Sequence, residues 1–403
     1  MKGLIFLIIV SVIFTGSIIC AAFNPGPVPS GKETPAFAGS AACASCHSEI
    51  FKSSRHTAHF LTSALPDDEH IKGSFAAGKN QFVYNKWMVV ELEKKKDVFL
   101  QTAYMNGFPT EQRAFGIVVG SGRKGQTYLY WDKNSLFQLP VSYYTPANDW
   151  CNSPGYSENY IRFDRPIPAT CLECHATYAE SKEKKDGSTV FNKKSILYGV
   201  DCERCHGPGA AHVAFHTQHP EAKTASNIIS TKNFSRQQRL DACAQCHSGL
   251  RKHTQPAFSF TVGQKLDDYS TPNYDVDTVG SLDVHGNQYG LLTACRCFKM
   301  AAQLDCSSCH NVHVSERQNM TAFSQRCISC HNVNGVAHDS CSYKPPAGIV
   351  LADNCVDCHM PLLPSKKITL KLANASTAEA DMVRTHLVNV YQDATKRFVE
   401  KIR

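Results

Sequence analysis

The sequence predicts an α+β fold with much irregular structure, in which an antiparallel β-rich segment joins a region of short helices. Three observations carry that expectation. A C-x-x-C-H motif recurs seven times in 403 residues. Between its first and second copies lies a long stretch of β-branched and aromatic runs punctuated by glycine. From the second copy onward the periodicity is weak and glycine and proline are frequent, so side chains alone cannot build a conventional core.

The motif itself names its chemistry. C-x-x-C-H is the c-type haem attachment signature, and it occurs at Cys43-Cys46-His47, Cys171-Cys174-His175, Cys202-Cys205-His206 and Cys243-Cys246-His247. It returns at Cys306-Cys309-His310, Cys327-Cys330-His331 and Cys355-Cys358-His359. The two thiols add across the porphyrin vinyl groups, and the two intervening residues set the sulfur spacing. The adjacent histidine is then held against the iron as proximal ligand. Random placement of the same cysteines and histidines would give about 0.04 copies, so chance is excluded. Zinc ribbons use C-x-x-C pairs, but nothing in zinc chemistry requires a histidine after each, and a disulfide framework does not fix one either. The expected cofactors are seven c-type haems with their iron, and the expected architecture is a haem-packed multihaem cytochrome.

Taken in order, residues 1–22 read as an export signal: Lys2, then the apolar run from Leu4 to Val10 and on to Phe14. Covalent haem attachment happens beyond the cytoplasmic membrane, so the expected location is the periplasm or cell surface. Three endings stay open. Cleavage near Ala21 or Ala22 releases a soluble protein. Alternatively Cys20 is a lipidated lipoprotein cysteine, although Ile19 stands where a small residue is usual, or the segment remains as an uncleaved anchor. The last two tether the chain to a membrane. Residues 23–40, rich in Pro, Gly and Ser, read as a flexible linker, and residues 41–73 as the first haem segment. No other stretch is long and apolar enough to span a bilayer.

Residues 74–150 form the expected β-rich segment, with strands at Gln81 to Tyr84, Trp87 to Leu92, Phe115 to Val119 and Thr127 to Trp131. Its expected role is structural cover for a haem rather than a substrate pocket. Residues 151–403 form a six-haem region, with a short helix expected after each motif and long irregular connections. A last helix is expected from about Thr377 to Lys401, with Ser376 and Glu379 at capping-box spacing.

Seven histidines lie in motifs, which leaves His56, His59, His70, His212, His216, His219, His253, His285, His313, His338 and His386. Seven irons need at most seven distal ligands, so bis-His ligation throughout is affordable in composition. Met360, directly after His359, cannot reach the opposite face of the same haem. His313 lies three residues past His310 and His212 six past His206, too close to reach around their own haems. If they bind iron, they bind a neighbour's. His70 and His219, in polar stretches, are the first expected to serve elsewhere. The formal charge of +7 does not point to nucleic acid. Lys2 departs with the signal, each ferric bis-His haem brings about −1 through its propionates, and no basic-aromatic stripe is present.

Several stretches are longer than a haem signature, and they resemble the cytochrome c-554-like multihaem family. They are Ser54-Arg55-His56, Cys202 to Gly209 followed by His212, and Cys355 to Pro361. Gly120 to Lys124 before Thr127 to Tyr130, Asn152 to Tyr156, Asp283 to Asn287 and Cys306 to His313 belong with them. That group is related to the hydroxylamine oxidoreductase and cytochrome c nitrite reductase multihaem proteins. The resemblance spans most of residues 40–392 and implies electron transfer and a mixed fold. By matching position it implies His56, His212, His285, His313, His338 and His386 as distal ligands, with His253, His59 and His216 competing for the seventh place. A C-x-x-C-K site is lacking, as is an eighth haem site, which lowers the case for the related enzymes' activities.

Three functions follow, one of them a structural or filament-forming electron conduit. The first is an electron relay between redox partner proteins, with no chemistry of its own. The second is an oxidoreductase acting on a small nitrogen or sulfur compound at one haem without a distal ligand, for which Arg113, Arg123, Lys124, Tyr143 and Tyr144 are candidate side chains. Outside the motifs and Cys20, four cysteines remain: Cys151, Cys295, Cys297 and Cys341. Cys297 and Cys341 match positions where the resembling proteins carry cysteines, so the resemblance implies Cys297–Cys341 and, for the two left over, Cys151–Cys295. Free buried thiols are the alternative.

Overall fold

Strand-forming sequence before the second motif becomes two antiparallel sheets in the computed structural model, which describes residues 36–272, 282–333, 336–337, 343, 350–373 and 375–401. The strands are β1 (Ser63–Ala64), β2 (Gln81–Asn85), β3 (Met88–Lys95), β4 (Val98–Met105), β5 (Phe108–Ala114) and β6 (Ile117–Val119). β7 (Gly125–Asp132), β8 (Ser135–Gln138), β9 (Val141–Tyr144), β10 (Asp149–Asn152) and β11 (Arg165–Pro166) follow. Strands β2 to β5 form a meander in chain order. Its last turn uses Asn106 and Gly107, both at positive φ (52° and 82°), the pairing that matches the twist of a two-residue hairpin. The second sheet runs β1-β6-β7-β8-β11, with β9 on β7 and β10 on β9.

The sheets pack face to face on an aromatic core. Phe82, Val90, Leu92, Phe99, Tyr128, Leu139, Val141 and Trp150 are buried there, with Phe75 packed against them. Trp150 satisfies its indole N–H at Lys79 O (3.0 Å) and Ser74 O (3.2 Å). Gln101, fully buried on β4, donates to Val141 O (2.7 Å) and accepts from Val141 N (3.0 Å), which fixes one sheet's register on the other. A second apolar cluster gathers Ile117, Leu129, Leu136, Leu172 and Phe191, and a third gathers Ala244, Phe260, Val262 and Leu266. Among the described residues no comparable cluster follows Leu266. The structure is thus mixed α+β, with a side-chain core in its first part and irregular chain in its last.

Most motifs are themselves helical, and among the described residues the expected following helix comes directly after only the first and third, at Ser48–Ser54 and Ala210–Gln218. The motifs lie in or close the helices Ser40–Ala44, Ala169–Glu173, Cys202–His206, Arg236–His247, Met320–His331 and Cys355–His359, and Cys306–Ser308 is a 3₁₀ turn. The reason is in the spacing: positions i, i+3 and i+4 share one face of a helix, so the fold turns both thiols and the histidine the same way. The chain's own N-caps start these turns. Asp201 accepts from Glu203 N (3.0 Å), and Ser235 with Gln238 forms a capping box.

The expected C-terminal helix from Thr377 is corrected. Glu379–Arg384 is a strand, antiparallel to Leu362–Leu370, and only Gln392–Lys401 is helical. Buried Asp381 explains the change: its carboxylate accepts from Tyr144 OH (2.6 Å) and pairs with Lys124 Nζ (2.7 Å). That anchor and the pairing to the strand behind the last motif override the local helical spacing, and Ser376 does not cap a helix. No helix of the described residues is long and apolar enough to cross a membrane.

Candidate functional site: paired imidazoles

Three motif histidines face a second histidine across a gap of one kind. The ring centres of His206 and His313 are 6.3 Å apart, with ring planes 17° from parallel. His310 and His386 are 6.1 Å apart and 27° from parallel. His59 and His247 are 6.0 Å apart, their planes inclined at 69°. An iron joined to two imidazoles by bonds of about 2 Å each puts their ring centres about 6 Å apart. The separations of these pairs match that distance. The ring planes about a common axis are free to differ, so the 69° pair fits as well as the near-parallel ones.

The other ring nitrogen is fixed by the fold. Nδ1–H of His206 donates to Ile229 O (2.9 Å), that of His212 to Ser226 O (2.7 Å) and that of His359 to Asn389 O (2.9 Å). A carbonyl can only accept, so Nδ1 carries the proton and Nε2 keeps its lone pair for a metal. His175 Nδ1 meets Thr62 Oγ1 (3.0 Å) and His247 Nδ1 meets Gln288 Oε1 (3.3 Å). Burial pulls His175 and His386 down to about 4, which favours the neutral imidazole, the form that ligates iron. His285 and His247 are among the charges felt at His175.

The segment carrying His59 is stapled in place. Val200 N donates to His59 O (2.8 Å), Gly120 N to Thr62 O (2.7 Å) and Gly199 N to Ser63 Oγ (2.9 Å). Gly199 sits at φ +71°, and a Cβ there would lie 2.1 Å from Phe60 O. Gly199→Ala is expected to cost about 1–3 kcal/mol in local strain and to push His59 off His247. One haem equivalent should become high-spin and the thermal midpoint should fall. An unchanged spectrum would detach His59 from this role.

Thiols of different motifs also lie close. Cys43 lies near Cys202, Cys174 near Cys246 and Cys243 near Cys306. Cys309 lies within electrostatic reach of Cys330, and Cys327 of Cys355. The motifs thus lie near one another in a series in which the first neighbours the third, and the fourth to seventh follow in order. Cys205 and Cys246 join its two parts, and the second motif lies beside the fourth.

Charged residues inside and beside the motifs hold this series. Arg204, within the third motif, donates to Glu173 O of the second (3.1 Å), and Glu203 accepts from Ala38 N, Gly39 N and Gly209 N. Arg239 pairs with Asp305, Arg326 with Glu316, and Arg384 with Asp357 (2.9 Å). Sequence reasoning missed these residues. Their signal was present: thioether chemistry asks nothing of the x-x positions, yet Glu173, Glu203, Arg204 and Asp357 are charged there.

The remaining candidates are placed as follows. His56 is exposed and its carbonyl accepts from Arg123 (3.2 Å). His285 is exposed in a turn held by Asp283 (2.8 Å to His285 N). His253 turns Nε2 to Glu173 at 3.5 Å, and the ring of His216 packs at 4.6 Å from that of His212. His70 pairs with Asp67 (2.7 Å) and His219 lies 3.8 Å from Glu221. His47 and His331 are exposed beside the thiols of their motifs. His338 and Cys341 lie outside the described residues, as does Cys20. Four of the side chains considered for an open haem are engaged within the fold: Arg113 with Glu111 (2.8 Å), Lys124 and Tyr144 with Asp381, and Tyr143 with Asn148 (2.5 Å).

The expected Cys151–Cys295 bridge is corrected. Cys295 Sγ lies 3.0 Å from Cys297 Sγ, because the two flank the start of the helix Arg296–Met300. Cys151 is buried on β10, bridged to Leu372.

Seven attachment motifs and imidazoles paired at iron-spanning distance define a multihaem c-type cytochrome. Within that class, residues 157–207, which hold the second and third motifs, match the family model of cytochrome c554 and c-prime. The chain is also distantly similar to the multihaem cytochrome MtrA of Shewanella baltica (strain OS185), 24% identical over 199 residues, which are 47% of this chain and 52% of that protein. It thus spans about half the length of the curated relative it matches. No solved structure matches it.

Proposed function

We propose that this chain is an electron relay working outside the cytoplasm, with seven covalently bound c-type haems held mostly between two histidines. The observation that carries the reading is the set of three imidazole pairs at 6.0 to 6.3 Å. When bound, haem supplies a one-electron couple at its iron, and two histidine ligands leave that iron no site for a substrate. The chain's own part is placement. His313, three residues past the fifth motif, closes the third, and His59, which follows the first motif, closes the fourth. His386, beyond the seventh, closes the fifth. Each such crossing ties one motif to another, so the series of motifs becomes a series of neighbouring haems.

The partners are redox proteins that deliver and remove electrons, and no nucleic acid. The apolar N-terminal segment supports export, to the periplasm or cell surface, with a tether if Cys20 is lipidated. Protein-film voltammetry of the mature holoprotein tests the relay. Overlapping one-electron waves summing to seven electrons are expected, with no catalytic current on adding nitrite, hydroxylamine or sulfite. A catalytic wave with any of them would move the function to the oxidoreductase reading.

A further inference from the structure

Two thiols outside the motifs stand in contact. Cys295 Sγ and Cys297 Sγ are 3.0 Å apart, and residues two apart in sequence have Cα atoms no more than about 7 Å from each other, the span a disulfide requires. The backbone brings the side chains together. Cys295 is extended (φ −75°, ψ 155°) as the N-cap, and the chain then turns into the helix Arg296–Met300. Cys295 is 2% exposed, while Cys297 is half-buried and within reach of small molecules. Hydrogen bonds from the Cys297 thiol, and then from the backbone N–H groups of Phe298, Val388 and Cys297, pull the Cys295 thiol down to about 6 against a burial that opposes it. Neither cysteine belongs to a haem signature.

We infer that Cys295 and Cys297 form a two-electron thiol–disulfide site, a redox centre distinct from the haem attachments, which exchanges with small or protein disulfides. Cys297, whose thiol the shared hydrogen bond pushes up, passes its proton to the Cys295 thiolate and attacks one sulfur of R–S–S–R, forming a mixed disulfide and releasing one R–S⁻, which takes up that proton. The Cys295 thiolate then attacks the Cys297 sulfur and releases the second R–S⁻. One S–S bond is broken and one formed, so two electrons pass from the pair to the partner's disulfide and two R–SH leave. The centre sits near the fifth motif. Cys297 is within electrostatic reach of Cys309, and Val388, which donates to Cys295, follows His386 by two residues.

The test uses the full-length holoprotein equilibrated across ratios of reduced to oxidised glutathione. It is then quenched in acid, unfolded, alkylated, and cut outside Cys295 and Cys297 for mass spectrometry. The peptide spanning both cysteines should pass from two alkyl groups to none, with the loss of two hydrogens, in one two-electron transition. Cys341→Ser and Cys151→Ser should leave that transition unchanged. Cys295→Ser should stop Cys297 at a single glutathione adduct. Two alkyl groups at every ratio, or Cys297 recovered on the peptide that holds Cys341 or Cys151, would overturn the assignment.

Discussion

Replacing His313 with alanine should turn one haem equivalent high-spin, and that haem should be the one on Cys202 and Cys205. His313 lies in the chain just behind the fifth motif, yet its ring faces His206 at 6.3 Å. On the proposed crossed ligation, removing the imidazole would leave the iron of the third motif with His206 as its only protein ligand, in a weaker field. His206 itself stays oriented by Ile229 O, and His310 keeps His386 opposite it. The oxidised spectrum of His313→Ala should therefore gain a high-spin component worth one haem, with the haem count unchanged. The same change made in a variant that also lacks Cys202 and Cys205 should add no high-spin component. A high-spin haem traced instead to Cys306 and Cys309 would refute the crossed ligation.

Removing the fifth attachment, as Cys306→Ala with Cys309→Ala, should have the largest effect on the fold, and the effect should be confined to one part of it. Among the described residues beyond Leu266, the apolar clusters take in only Ala373 and, packed at an edge, Tyr289. The described chain there is held by scattered buried residues and by Arg326–Glu316 and Arg384–Asp357, partly exposed ion pairs worth roughly 0–1 kcal/mol each. Such contacts cannot offset the conformational entropy of ordering so long a segment. Porphyrin is thus expected to supply most of the buried apolar surface there. Under limited trypsin digestion, residues 282–401 should be cut at least about tenfold faster, the change that a loss of about 1.4 kcal/mol of local stability produces. The sheets around Trp150 and Gln101 should persist as a protected fragment. Equal protection of both regions would show that the later region folds on side chains alone.

How far the sequence could be read is clear from particular residues. The motifs were legible because their chemistry demands fixed spacing, and that spacing also makes them helical turns. Strands β2, β3, β6 and β7 were legible from their β-branched and aromatic runs, whereas β4, β5 and β8 were not singled out. That His313 cannot serve its own motif followed from three residues of separation, but which ring it faces did not, because the facing motif lies far away in the chain. His59 and His247 are a sharper case. Nothing local links them, and their meeting depends on the close approach of Gly199 to Phe60. The strand Glu379–Arg384 was read as helix because Met382, Val383, Leu387 and Val388 have helical spacing, while the buried carboxylate of Asp381 answers Lys124 and Tyr144 from a distant strand. Cys295 met Cys297 rather than Cys151 because a helix start turned two neighbours together, a local geometry that counting cysteines does not reveal.

The central claim is the proposal that seven irons are covalently carried in this chain, mostly between two imidazoles, with none left open to substrate. It is tested most directly by mass spectrometry of the mature protein together with electron paramagnetic resonance of its oxidised form. Seven thioether-bound haems per chain are predicted, with low-spin bis-His signals and no high-spin component as large as one haem. Six or fewer haems, or a high-spin signal integrating to one haem or more, would contradict the account.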